Sequence, residues 1–90
     1  MSSPFKTWHS HLPVAREKIF VLRHQGKWQV RYREKLYGPY LIPGDAMRRA
    51  IERAYRIGRR GSGAQVFVQV KGEEFRLEWT YGLDPYPAQA

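Results

Sequence analysis

A chain of 90 residues, 42% hydrophobic and 27% charged, has the size and composition of one globular domain with a single core rather than of a disordered chain. Having no cysteine, it is excluded from disulfide scaffolds, thiolate metal sites and thiol catalysis. Its net charge of +8 is unevenly placed, with 13 Lys and Arg against four acids in residues 16–60 and two against four in residues 61–90, which favours an anionic partner: nucleic acid, anionic membrane or acidic protein.

Residues 1–16 hold Pro4, Pro13 and scattered serines with Phe5, Trp8 and Leu12 among them, the composition of a loosely structured arm whose aromatics have reason to dock. His9 and His11 stand two apart with no carboxylate near them in sequence, and read as solvated or capping histidines rather than metal ligands. The opening residues lack the apolar run of a secretory signal, and no stretch approaches the ~20 apolar residues of a membrane span, so a cytoplasmic protein is expected.

Residues 18–24 read as a strand apolar on both faces, Ile19 and Val21 on one and Phe20 and Leu22 on the other, as suits a central or covered strand. Gln25-Gly26 offers a tight turn. Residues 27–33 alternate, with Trp28, Val30 and Tyr32 on one face and Lys27, Gln29, Arg31 and Arg33 on the other. After a turn at Glu34-Lys35, residues 36–42 form a third strand that Gly38-Pro39 interrupts, marking it as an edge or bulged strand.

Asp45 to Arg60 has clear helical period. Met47, Ala50, Ile51, Ala54 and Ile57 share one face, while Arg49, Arg53, Arg56 and Arg60 line another. Asp45 is the expected N-cap, and Gly58 or Gly61 the left-handed residue at the C-terminal end. Residues 64–71 alternate Val66, Val68 and Val70 against Gln65, Phe67 and Gln69; residues 74–79 alternate Phe75, Leu77 and Trp79 against Glu74, Arg76 and Glu78. The tail from Thr80 is irregular. One amphipathic helix covers one sheet face, so the order βββαββ predicts a two-layer α+β domain over residues 17–80, with an antiparallel sheet of about five strands. The expected core is Ile19, Val21, Trp28, Val30, Tyr32, Met47, Ile51, Ala54, Val66, Val68, Val70, Phe75, Leu77 and Trp79.

The carboxylates are scattered, and no glycine-rich loop opens a helix with phosphate-binding spacing, so a non-enzymatic protein is expected, with no cofactor, metal or small-molecule substrate. Two surfaces are candidates for nucleic acid. One is the helix row Arg49, Arg53, Arg56 and Arg60, where Glu52 lies four residues from both Arg48 and Arg56 and offsets part of the repulsion. The other is the sheet face carrying Lys27, Arg31 and Arg33, beside Gln65, Phe67 and Gln69 if their strands are neighbours; such a face contacts phosphates and stacks a base. The competing class is protein association, with Phe20, Leu22 and Phe67 pointing away from the helix and the edge at Pro39-Tyr40 unpaired, as a homodimer surface or a site for another chain's strand.

Gly26, Trp28 and Val30, an alanine-bearing helix, the valine-rich strand and the closing Tyr81, Gly82, Asp84 and Pro85 together resemble a family of small bacterial domains of unknown function. The resemblance spans roughly residues 18–87 and implies a fold without implying an activity. This chain departs from that family in its arginine-rich helix and in the Pro43-Gly44-Asp45 entry to it. A looser similarity, through Gly26-Lys27-Trp28 to Arg33 and the following helix, runs to the arm-site DNA-binding domains of phage-type integrases; it implies Arg31 and Arg33 in a major groove. The tail Tyr81 to Pro85 reads as a structural clasp, with Tyr81 packing, Gly82 turning and Asp84 capping the turn.

Overall fold

A computed structural model describes residues 15–87, with side chains from Glu17 to Pro87. Strands β1 (Ala15–His24), β2 (Lys27–Tyr32), β3 (Lys35–Tyr40), β4 (Gly63–Lys71) and β5 (Glu74–Thr80) form one sheet in the order β3-β2-β1-β4-β5, with one helix, α1 (Pro43–Arg59), between β3 and β4 in the chain. The architecture is the two-layer βββαββ α+β fold that the patterning predicts. The sheet is mixed, however: β1 and β4 run parallel, and the other three pairs antiparallel. A helix between two strands returns the chain to the end it came from, so the strand after it repeats the direction of the strand before it. Here α1 carries the chain from the outer strand β3 to the far side of β1. That placement makes β1 central and explains why both of its faces are apolar.

Ala46, Ala50, Ala54 and Gly58 lie at four-residue steps along α1 and are all buried, so the helix backbone sits close to the sheet. Ile51 and Ile57 fill in beside them, against Ile19 and Val21 of β1, Val30 of β2, Ala64, Val66 and Val68 of β4 and Trp79 of β5. Each large aliphatic side chain that is fully buried there stabilises the fold by roughly 1.5–3 kcal/mol. Trp28, Tyr32 and Met47 pack at the margin of this core rather than inside it.

The helix begins three residues before the expected point. Ile42 is the N-cap, with extended backbone and no side-chain cap bond, and Pro43 opens the helix, where its missing N–H costs nothing and its fixed φ already suits helix. Asp45 is therefore a first-turn residue rather than the cap; it pairs with Arg48 at 3.1 Å and still complements the positive helix end. At the other end Gly61, at φ +107°, is the left-handed residue that releases the chain.

Two departures from simple alternation reshape the sheet faces. In β3, Gly38 and Pro39 lie between Tyr37 and Tyr40 while their partners Val30 and Trp28 are separated by Gln29 alone, so the strand bulges and both tyrosines lie on the helix side. In β5, Leu77 pairs with Phe67 and Trp79 with Val66, leaving Glu78 as the extra residue. The bulge separates a trio that the sequence puts on one face. Trp79 stays in the core, whereas Phe75 and Leu77 fall on the face away from the helix, and Leu77 is 47% exposed. Val70, beside a further register shift near the β4–β5 turn, is 48% exposed and also outside the core.

The residues after Thr80 form a clasp over the end of the core. Tyr81 N donates to Ala64 O at 2.9 Å, and Asp84 Oδ2 accepts from Thr80 N at 2.7 Å. Trp79 Nε1 donates to Pro85 O at 3.0 Å, and Tyr86 stacks on Tyr55 of α1 with ring centroids 3.8 Å apart. The arm expected over residues 1–16 gives way to β1 at Ala15, and its remaining residues 1–14, with the histidine pair, lie outside the described residues.

Candidate nucleic-acid interface

The sheet face opposite α1 is built from the alternate positions of its strands. β1 contributes Lys18, Phe20 and Leu22, β2 contributes Lys27, Gln29 and Arg31, and β4 contributes Gln65, Phe67 and Gln69. The expected adjacency of the second and fourth strands does not occur, because β1 lies between them and inserts its own aromatic and its own lysine. Phe20 and Phe67 are direct partners across the parallel pair, and their rings stack with centroids 5.5 Å apart. Phe75 meets Phe20 edge-on at 5.2 Å. The result is a three-ring aromatic cluster running across β1, β4 and the edge strand β5, half-buried rather than covered, since no element of the described residues crosses this face.

Cations surround the rings. The Arg31 guanidinium lies 5.4 Å from the Phe20 ring centroid and the Lys18 ammonium 6.0 Å from that of Phe67. Lys27 stands at the start of β2 on the same face, opposite His24. None of the open-face positions of β1, β2 or β4 is acidic, so this part of the surface carries positive charge without internal neutralisation. Gln69 is committed to structure, its Oε1 accepting from Arg23 N at 2.7 Å beyond the end of the β1–β4 ladder and its amide donating to Gly72 O.

Arg33 is not on this face. β2 ends at Tyr32, and Arg33 sits in the following turn at φ +58°. There its guanidinium grips Glu17 in two contacts, of 2.8 and 3.3 Å. The Glu17 carboxyl is held below its ordinary range, first by the Arg33 hydrogen bond and also by one from Tyr32, against the opposing effect of burial. Arg33 is thus a turn fastener, and of the three basic sheet residues singled out from sequence, Lys27 and Arg31 remain.

The helix row is likewise broken up. Arg49 bonds Glu52 at 3.3 Å, so Glu52 serves the residue three before it rather than Arg48 or Arg56. Arg53 is half-buried, its guanidinium 4.2 Å from the Tyr37 ring centroid and 5.9 Å from that of Tyr32. Arg56 is exposed, and Arg60 lies past the last helical residue at the C-cap. The row leans onto the β3 edge instead of projecting as a ridge of free charges, because β3's bulge places Tyr37 and Tyr40 beneath it.

Lys18 shares the parity of Phe20 and Leu22, and that alternation alone marks it as a residue of this face. No sequence signal marks the β5 bulge that moves Phe75 out of its expected place in the core. Comparison of the chain with known proteins found no matching family model, no matching curated protein and no matching solved structure.

Proposed function

We propose that this domain is a non-enzymatic nucleic-acid-binding module that receives a single strand on the open face of its sheet. Lys18, Lys27 and Arg31 meet backbone phosphates, and Phe20 and Phe67 supply the surface on which bases stack. The observation that carries the reading is the Phe20–Phe67 pair, set side by side on the two central strands with cations at its border. A face of this kind combines charge, which neutralises phosphates, with rings, which accept any base because every base has a π-face. The helix row is the weaker candidate for a strand, since Arg49 is paired with Glu52 and Arg53 folds back onto Tyr37, so the row lines a confined cleft rather than an extended stacking surface.

Self-association is the second reading, favoured by the apolar surface that Leu36, 57% exposed, and Leu77 leave on the same side. Charge argues against it. Two copies laid face to face set Lys18, Lys27 and Arg31 against their equivalents without an acid from β1, β2 or β4 to separate them.

The test is fluorescence anisotropy with labelled single-stranded DNA, single-stranded RNA and duplex DNA across a salt series, alongside light scattering of the protein alone. Single strands are expected to bind more tightly than duplex, with affinity falling linearly on a log–log salt plot. Phe67→Leu, which keeps the strand apolar, is expected to weaken binding about fivefold or more, as stacking contributes roughly 1–3 kcal/mol per base. Absence of binding at low salt together with a dimer that Phe67→Leu disrupts would hand the face to self-association.

A further inference from the structure

On the opposite side of the molecule from the open sheet face, α1 and β3 enclose a cleft of about 210 Å³ lined by Val30, Tyr37, Tyr40, Arg49, Glu52, Arg53 and Arg56. Three guanidiniums from successive turns of one helix converge on it, against one carboxylate. Among the described residues the ion pairs of the helix are Arg48–Asp45 and Arg49–Glu52, which leaves Arg53 and Arg56 lining the cleft without an acidic partner. Arg53 is fixed in place by its ring partner: the guanidinium packs 4.2 Å from the Tyr37 centroid, which restrains the side chain while leaving its N–H groups free to donate. Arg49 pairs with Glu52 at 3.3 Å, and Glu52 first, then the Tyr40 phenol, push its guanidinium further toward the charged form. Adjoining this cleft, a second depression shares Tyr37 and Arg53 and adds Arg33, Glu34 and Lys35, where Glu34 offsets Lys35 and Arg33 is paired with Glu17, so the unpaired positive charge is concentrated in the arginine cleft itself.

Like charges at these spacings on a helix repel, and nothing in the packing of the core requires arginine at positions 49, 53 and 56. Planar guanidiniums suit the paired oxygens of phosphate, and a half-enclosed cleft with a tyrosine wall screens such contacts less than open solvent does. We infer that the α1–β3 cleft is an anion site, independent of the open sheet face, that takes a phosphate monoester or diphosphate group through Arg53 and Arg56, with Arg49 recruited as Glu52 yields to the ligand. The same chemistry is presented by free nucleotides and by the phosphorylated end of a strand.

Titration calorimetry of the full chain with sodium pyrophosphate, at constant ionic strength and with sodium chloride as control, tests the site. Saturable binding with one ligand per chain is expected. Arg56→Gln, at an exposed position, is expected to weaken it about tenfold, the loss of one hydrogen-bonded charged contact. Glu52→Gln is expected to tighten it, because it removes the competing carboxylate, and a merely structural role for Glu52 predicts no such gain. Arg31→Gln, on the other face, is expected to leave it unchanged, so this site and the nucleic-acid reading fail separately. A nucleoside diphosphate binding more tightly than pyrophosphate in an Arg56-dependent way identifies a free nucleotide. Arg56-dependent preference for a 5′-phosphorylated over an unphosphorylated oligonucleotide identifies a strand end. Absence of saturable binding, or binding indifferent to both Arg56→Gln and Glu52→Gln, overturns the inference.

Discussion

The Tyr81 ring occupies the space that a side chain at Gly58 would need: a Cβ added there would overlap Tyr81 at Cγ, Cδ1 and Cδ2. The last turn of α1 and the first residue after β5 are thereby locked together, and Tyr81 cannot easily retreat because its backbone N–H is bonded to Ala64 O at 2.9 Å. Gly58→Ala adds a better helix former, which by itself stabilises a helix by about 1 kcal/mol. The overlap involves atoms near the root of the ring rather than its tip, so the clash dominates. The variant is expected to lose about 1–3 kcal/mol in urea denaturation. A stabilised Gly58→Ala variant would mean that Tyr81 does not sit against the helix.

The clasp predicts a contrast at Asp84. Its Oδ2 accepts from Thr80 N, while Asp84 N donates to Thr80 O at 3.0 Å, so one residue closes the turn from both sides. Asp84→Ala removes the side-chain half and is expected to cost about 1 kcal/mol, whereas Asp84→Asn retains an acceptor and loses less. Equal denaturation midpoints for the two variants would refute the capping role.

Glu17 and Arg33 predict a pH dependence. The Glu17 carboxyl has a folded-state pKa below its ordinary value of 4.5, chiefly through Arg33. A lowered folded pKa contributes stability above the unfolded value, and that contribution is lost as pH falls from there through the folded value. Wild-type protein is therefore expected to lose stability on acidification below about pH 4.5, and Arg33→Gln to show a smaller loss over the same interval. Denaturant midpoints at pH 7 and pH 3.5 for both proteins check this; identical pH profiles would assign the acid sensitivity to other carboxylates.

Arg31 and Arg60 separate the two basic surfaces. If Arg31 meets a phosphate, Arg31→Gln is expected to reduce the log–log salt slope of oligonucleotide binding by about one, and Arg60→Gln, at the helix end, to leave it unchanged. The reverse result would move the nucleic acid to the helix.

Ala50 and Ala54 set how closely α1 approaches the sheet, and both are fully buried. Ala50→Leu is expected to cost about 1–3 kcal/mol by forcing helix and sheet apart, although leucine is nearly as good a helix former as alanine. Thermal unfolding is the readout, and an unchanged midpoint would show slack in that layer.

Local pattern sufficed for much of this fold. Alternation in residues 27–32 placed Val30 inward and Arg31 outward, and the three- and four-residue spacing of Ala50, Ile51, Ala54 and Ile57 placed the helix on one face of the sheet. The apolar residues on both sides of β1 marked a central strand, and Gly38-Pro39 marked a bulged one. Such features were legible because each depends on neighbours within one or two turns of chain, where burial imposes a fixed period.

What only the tertiary structure decided depends on partners distant in sequence. The parallel pairing of β1 with β4 brings Phe20 beside Phe67, two residues that no local rule connects. The extra residue in β5 sends Phe75 to the open face and Trp79 to the core, although an unbroken alternation puts them together. Arg33 turned from a sheet cation into the partner of Glu17, and Arg53 from a surface charge into the companion of Tyr37. Sequence periodicity states which side of its own strand or helix a residue occupies. Which strand lies next to it, and where a bulge reverses its parity, is set by the packing of the whole sheet under its helix.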